Sequence, residues 1–114
     1  MEKSTPEQLA QRQLDAYNGK KIDEFCEVYT ENVVVMEFGT NKIMLEGKEA
    51  FKVRYNNLFE ANPNLNARLV NRVVMGNHVI DHEHITGRAD GNESEAVAIY
   101  EVNEYQIEKV WFIK

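Results

Sequence analysis

The chain begins with a helical period and changes to a two-residue alternation about halfway along. Leu9, Ala10, Leu14 and Tyr17 fall on roughly one helical face. Thr5, Pro6 and Gln8 supply a capping hydroxyl, a first-turn proline and the second half of a capping box, and Asn18-Gly19 ends the element. Ile22, Phe25, Cys26 and Tyr29 then recur at i, i+3, i+4 and i+7, the stripe of a short second helix. The β-branched run Val33-Val34-Val35 predicts a strand over 32–38 with Glu37 on the face of Val33 and Val35. A hairpin at Gly39-Thr40-Asn41 leads to a short strand over 42–46. Gly47 introduces a third helix with Phe51, Tyr55, Leu58 and Phe59 on one side. Asn62-Pro63 stops it, because the residue before proline avoids the helical region.

From there the pattern is sheet: 65–75, a Gly76-Asn77 turn, 78–86, a polar loop 87–94, 95–102, a turn at 103–105, and 106–113. Connections this short make the strands antiparallel meander neighbours. The stretch 78–86 holds all three histidines. Val79, Asp81, Glu83 and Ile85 alternate with Ile80, His82, His84 and Thr86, so ionisable groups sit mid-strand on both faces. Three helices followed by a meander predict one α+β domain over 1–114, its sheet curling over the helices.

Composition adds limits. At 114 residues the chain has room for a single core. A net charge of −6 and a pI near 5.1 argue against nucleic acid, since phosphate binding needs clustered cations and the longest basic run is Lys20-Lys21. A lone cysteine, Cys26, allows no internal disulfide and suits a reducing compartment. No apolar run reaches the roughly 18–20 residues that span a bilayer, and the start Met1-Glu2-Lys3-Ser4 is unlike a secretory signal. The expectation is a cytoplasmic protein with neither nucleic-acid nor membrane partner.

The element order, with Ile22-Asp23-Glu24-Phe25, Tyr29-Thr30-Glu31-Asn32-Val33, Leu45-Glu46-Gly47-Lys48-Glu49-Ala50, 96–102 and 107–112, resembles the nuclear transport factor 2-like superfamily. It is most similar to the SnoaL-like branch with its polyketide cyclases and steroid Δ-isomerases. The resemblance implies a cystatin-like cone, three N-terminal helices packed into a curved antiparallel sheet. It also implies a mostly apolar pocket and a homodimer through the outer sheet face, where Val97, Ile99 and Trp111 point. Glu37 falls where the steroid isomerase has its proton-abstracting carboxylate, and Tyr29 and Tyr55 where it has supporting tyrosines. The two oxyanion donors are missing: Arg12 or Gln13 occupies the helix-1 tyrosine position, and Ala98 the protonated-aspartate position. That argues against ketosteroid isomerisation. The same registration lines the pocket with Tyr29, Val35, Phe51, Tyr55, Ile80, His82, His84, Ala98, Tyr100 and Phe112 beside Glu37.

A carboxylate in an apolar pocket has its pKa raised toward neutrality and can serve as a general base. Glu37 is accordingly expected to take a proton α to a carbonyl, His82 to relay it, and Arg12 to steady the oxyanion. The plainer alternative pairs Glu37 with Arg12 as a simple ion pair. His82 and His84 could equally be wall residues, and His78 lies by a turn. A two-histidine, one-carboxylate metal set is the weakest reading of the His-x-His spacing, and neither metal nor cofactor is expected. Asp81 and Glu83 read as cross-strand partners of Arg68, Arg72 or Arg88 on the opposite face, worth a few tenths of a kcal/mol each. Tyr17 and Tyr100 read as core aromatics and Cys26 as a small core residue. The expected function is acid/base isomerisation, dehydration or cyclisation of a small apolar carbonyl or hydroxyl compound. The alternative is a non-catalytic binding or interaction module.

Overall fold

A computed structural model describes residues 4–114 of the chain. Its helices are α1 (Pro6–Asn18), α2 (Ile22–Glu27) and α3 (Lys48–Ala61). Its strands are β1 (Tyr29–Glu37), β2 (Ile43–Glu46), β3 (Asn66–Met75), β4 (His78–Thr86), β5 (Ser94–Val102) and β6 (Ile107–Ile113). They form a single sheet in the order β2-β1-β6-β5-β4-β3. The β3 to β6 meander is antiparallel as the short turns require, while β1 joins β6 in parallel, with Val35 opposite Val110 and Glu37 opposite Phe112. Tyr29, placed on the second helix by its spacing, instead starts β1, because α2 ends at Glu27 with Val28 as its cap.

The capping box forms at the start of α1: the Gln8 N–H donates to Thr5 Oγ1 at 3.1 Å and the Thr5 N–H to Gln8 Oε1 at 2.9 Å. At its far end the Asn18 amide donates to the Ala67 carbonyl at 2.9 Å and accepts from the Ala67 N–H at 2.8 Å, tying α1 to β3. The core lies between the helices and the concave sheet face. Leu9, Phe25, Phe51, Val33, Val79, Ile107 and Val110 are all buried there, with the Phe25 and Phe51 rings stacked at 5.4 Å. No helix among the described residues is long and apolar enough to cross a membrane.

Two local irregularities decide what the sheet presents to that core. Between Leu69 and Asn71 the β3 register slips by one residue. A regular strand would put Arg72 on the outer face with Arg68; the bulge turns it inward, directly opposite Asp81. At the end of β4, Gly87 has φ +80, and a Cβ there would lie 1.8 Å from the Asn64 carbonyl oxygen. Only glycine fits this exit, and it delivers Arg88 toward the open end of the core.

Candidate functional site

The side chains facing inward from β4 are Val79, Asp81, Glu83 and Ile85, all buried. Residues directly opposite in an antiparallel pair share a face, and the β4–β5 register sets Val79 against Tyr100, Asp81 against Ala98 and Glu83 against Ala96. The two alanines leave room for the two carboxyl groups. His82 lies opposite Val97 and Ile80 opposite Ile99, so both point outward, as does His84 opposite Glu95. The expected pocket-side placement of Ile80, His82 and His84 was therefore incompatible with an inward Ala98, one residue out of phase with its strand partner. On the outer face His82 Nε2 meets Glu95 at 2.8 Å, His84 Nε2 meets Glu93 at 3.0 Å and His78 Nε2 meets Glu101 at 3.0 Å. Among the described residues no three His, Cys, Asp or Glu side chains converge on a common metal position.

The other two expected catalytic residues are also elsewhere. Arg12 is exposed beside the inward Gln13, and its Nη2 donates to Ser4 Oγ at 3.0 Å. The buried residues of α1 are Leu9, Ala10, Gln13, Leu14 and Ala16, a phase that leaves position 12 in solvent. Glu37 is exposed at the end of β1, past a register slip after Val35, and accepts a hydrogen bond from Thr40 Oγ1 at 2.9 Å. It borders a side recess with Phe38, Met44 and Phe112. Glu37, His82 and Arg12 are not brought together, and Glu37 stands in solvent and not inside the cavity.

What the fold does assemble is a half-enclosed cavity of about 150 Å³ between the helices and the sheet. Tyr29, Val35, Tyr55, Tyr100 and Phe112 line it, as do Gln13, Tyr17, Leu58, Ala96 and Glu83. Phe51 is buried in the aromatic cluster behind, its ring 4.4 Å from that of Tyr29, and Ala98 is fully buried against Asp81. Tyr29 donates to Gln13 Oε1 at 3.0 Å, and the Gln13 amide donates to the Ala10 carbonyl at 3.0 Å. Residue 13 thus reaches the interior where Arg12 does not.

The charges are arranged asymmetrically. Asp81, with no exposed surface, is held by Arg72 in a two-pronged pair, Nε to Oδ1 at 2.7 Å and Nη2 to Oδ2 at 2.9 Å. The third nitrogen of Arg72 donates to Gln11 Oε1 at 2.9 Å. Glu83, 7% exposed, receives no hydrogen bond from any described residue and faces the cavity. Burial first, and then the neighbouring Asp81 charge, push its pKa up from 4.5 to about 7, with Arg72 pulling the other way. The same burial holds the tyrosines protonated: Tyr17 is pushed to about 12, and Tyr29, Tyr55 and Tyr100 are also raised, each further by Glu83. Of the three arginines expected to pair with Asp81 and Glu83, Arg72 pairs with Asp81 and none bonds Glu83. The setting of that pair is buried, where losing one partner costs several kcal/mol rather than tenths. Glu83 was missed as a site residue, although the inward alanine opposite it, Ala96, was legible in the alternation.

Residues 10–110 match the family model of the SnoaL-like domain. Among curated proteins none matches the sequence. Solved structures share the fold. An uncharacterized cystatin fold protein from Novosphingobium aromaticivorans superposes with a TM-score of 0.89 at 22% identity, covering 97% of this chain and 99% of that one. An NTF2-like protein of unknown function from Cytophaga hutchinsonii gives 0.80 at 15% identity, over 99% and 93%. A hypothetical protein with a ketosteroid isomerase-like fold from Catenulispora acidiphila, in complex with trimethylamine, gives 0.78 at 13%, over 97% and 87%.

A carboxyl whose native pKa exceeds its unfolded value makes the folded state bind more protons between the two values, so stability falls as pH rises through that window. For Glu83 the window runs from 4.5 to about 7, and the loss is about 3 kcal/mol. Glu83→Gln is expected to remove this part of the slope and to be more stable than the native protein at pH 8. Urea unfolding across the pH range checks it, and an unchanged slope in the variant would contradict the assignment.

Proposed function

Starting from a chain that belongs to the SnoaL-like domain family, we propose that it performs acid/base chemistry on a small apolar carbonyl or hydroxyl compound, with Glu83 as the proton-transfer group. The observation that carries this reading is the unpaired Glu83 carboxyl facing the cavity with its pKa pushed up to about 7. A base with that pKa can both take and return a proton near neutrality. A cavity of about 150 Å³ admits a benzene-sized body. The ionised Glu83 takes a proton from the carbon α to a carbonyl, and the electron pair moves onto the carbonyl oxygen. Tyr55 and Tyr100 line the same cavity and stay protonated, which suits them to donate to the developing enolate oxygen. The protonated Glu83 then returns its proton to another carbon, giving isomerisation, or to a departing β-hydroxyl, giving dehydration. No cofactor is needed for either step.

A second reading, a non-catalytic carrier, draws support from the aromatic packing of Tyr17, Phe25, Tyr29 and Phe51 around the cavity. Hydrogen–deuterium exchange at the α-carbon of cyclohexanone, followed by proton NMR, separates the two. Exchange accelerated by the native protein, rising with pH through about 7, and slowed at least ~100-fold in Glu83→Gln supports the enzyme. Exchange equal in the two proteins overturns Glu83 as the base.

The outer sheet face bears on assembly. Val73, Ile80, Ile99, Trp111 and Met36 are successive cross-strand neighbours, with Val73 46% and Ile80 37% exposed. A contiguous apolar row of this kind suits a second copy of the chain, and we take the protein to be a homodimer through Val97, Ile99 and Trp111. Sedimentation equilibrium is expected to give a dimer for the native protein and a monomer for Ile99→Glu. A native monomer would refute this.

A further inference from the structure

Three cations far apart in sequence meet at the open end of the cavity. Arg54 comes from α3, Arg88 from the loop after β4, and Lys114 from beyond β6; all three line it. Arg54 and Lys114 are exposed and Arg88 half-buried, which places them at the rim above the buried Glu83. None forms a salt bridge with an acid among the described residues. Arg88 Nη2 donates to Ser94 Oγ at 3.4 Å, and Lys114 Nζ lies 5.3 Å from the centre of the Phe112 ring. They are close enough to repel one another: the Lys114 pKa is lowered by partial loss of solvent at the cavity mouth and then by Arg88 and Arg54. On a chain with net charge −6, acids to pair with these cations were plentiful, yet among the described residues Glu83 is the one acid lining this cavity. Glu37 lines the adjoining side recess, which shares Met44, Phe112 and Lys114 with the cavity, and it accepts a hydrogen bond from Thr40. Like charges gathered without counter-charge are costly, and the cost is relieved by a bound anion.

We propose that the ligand of this cavity is a small organic oxyanion, its charged head held at the rim by Arg54 and Arg88 with Lys114 beside them, and its apolar body directed toward Glu83. The inference rests on the cavity being the ligand site, as argued above, and narrows the substrate to an acid. Burial keeps head and base apart: Arg54 and Lys114 are exposed and Arg88 half-buried, whereas Glu83 is buried. An anion at the rim therefore leaves Glu83 free to accept a proton from the buried end of the ligand.

The test is calorimetric titration with cinnamate, its uncharged counterpart cinnamamide, and phenyl phosphate. At least one anion is expected to bind about tenfold or more tightly than the amide, with a preference that shrinks as NaCl is added. Which anion binds better distinguishes a carboxylate from a phosphate ligand. Arg54→Gln and Arg88→Gln are expected to remove most of the preference and leave cinnamamide affinity unchanged. Equal binding of anion and amide, no binding of any probe, or loss of both affinities together in the arginine variants would overturn the proposal. Glu83→Gln separates it from the acid/base reading. If the anion preference survives in that variant while α-proton exchange fails, both stand; if exchange depends on Glu83 and no anion preference exists, the rim proposal alone falls.

Discussion

Two carboxyl groups on the inner face of one strand share a single guanidinium, and the rest of the site follows from that shortage. Arg72 has one fork to offer, and Asp81 takes both prongs of it. A charge buried without a partner is among the most costly features a fold can carry. Glu83 avoids it by keeping its proton up to about pH 7. Replacing Glu83 by an apolar residue of similar size would cost little packing, so this acid is held against stability, as polar groups at functional sites commonly are. The rest of the interior is arranged around that exception: alanines opposite the carboxyl groups, and tyrosines whose own ionisation is suppressed by the same burial.

The fold creates the shortage through local geometry. The one-residue bulge in β3 brings Arg72 to Asp81 and no further; Leu69, the residue opposite Glu83, is apolar. Helix α1, fixed by its capping box and by the Asn18 clamp on β3, supplies Gln13 to the Tyr29 hydroxyl and keeps Arg12 in solvent. Gly87 turns the chain where β4 ends, so that Arg88 stands at the cavity's rim and not within it. The interior therefore holds a proton donor and acceptor to which no cation is bonded, Arg72 being taken up by Asp81, while positive charge collects at the entrance. That separation is what an acidic ligand with an apolar body would need.

The helices, their caps, the hairpin and the meander were all legible from spacing and turn residues, because each is set by local preferences and by burial of one face. The site was not legible to the same degree, because it depends on phase across strands. Alternation on β4 gives two faces with ionisable groups on each, and nothing within that strand says which is inside. Its neighbour does: Ala96, Ala98 and Tyr100 face inward, and cross-strand pairing then selects Asp81 and Glu83 over His82 and His84. Reading β4 by likeness to an isomerase, and not against β5, misplaced the histidines. Arg72 was hidden for another reason, since no sequence rule locates a bulge at Val70. Glu37 keeps the phase of Val33 and Val35 but lies at the last position of β1, before the turn, where it is exposed.

The central claim is that an unpaired carboxyl beside a paired one sets the chemistry of this cavity. It is tested most directly by following the side-chain carboxyl carbon of Glu83 by NMR through a pH titration, in the native protein and in Asp81→Asn. The account predicts a native midpoint near 7 that moves down toward the ordinary glutamate value in the variant, where the neighbouring negative charge is gone and Arg72 is released to attract Glu83. A native midpoint at the ordinary value, or one that Asp81→Asn leaves in place, would contradict it.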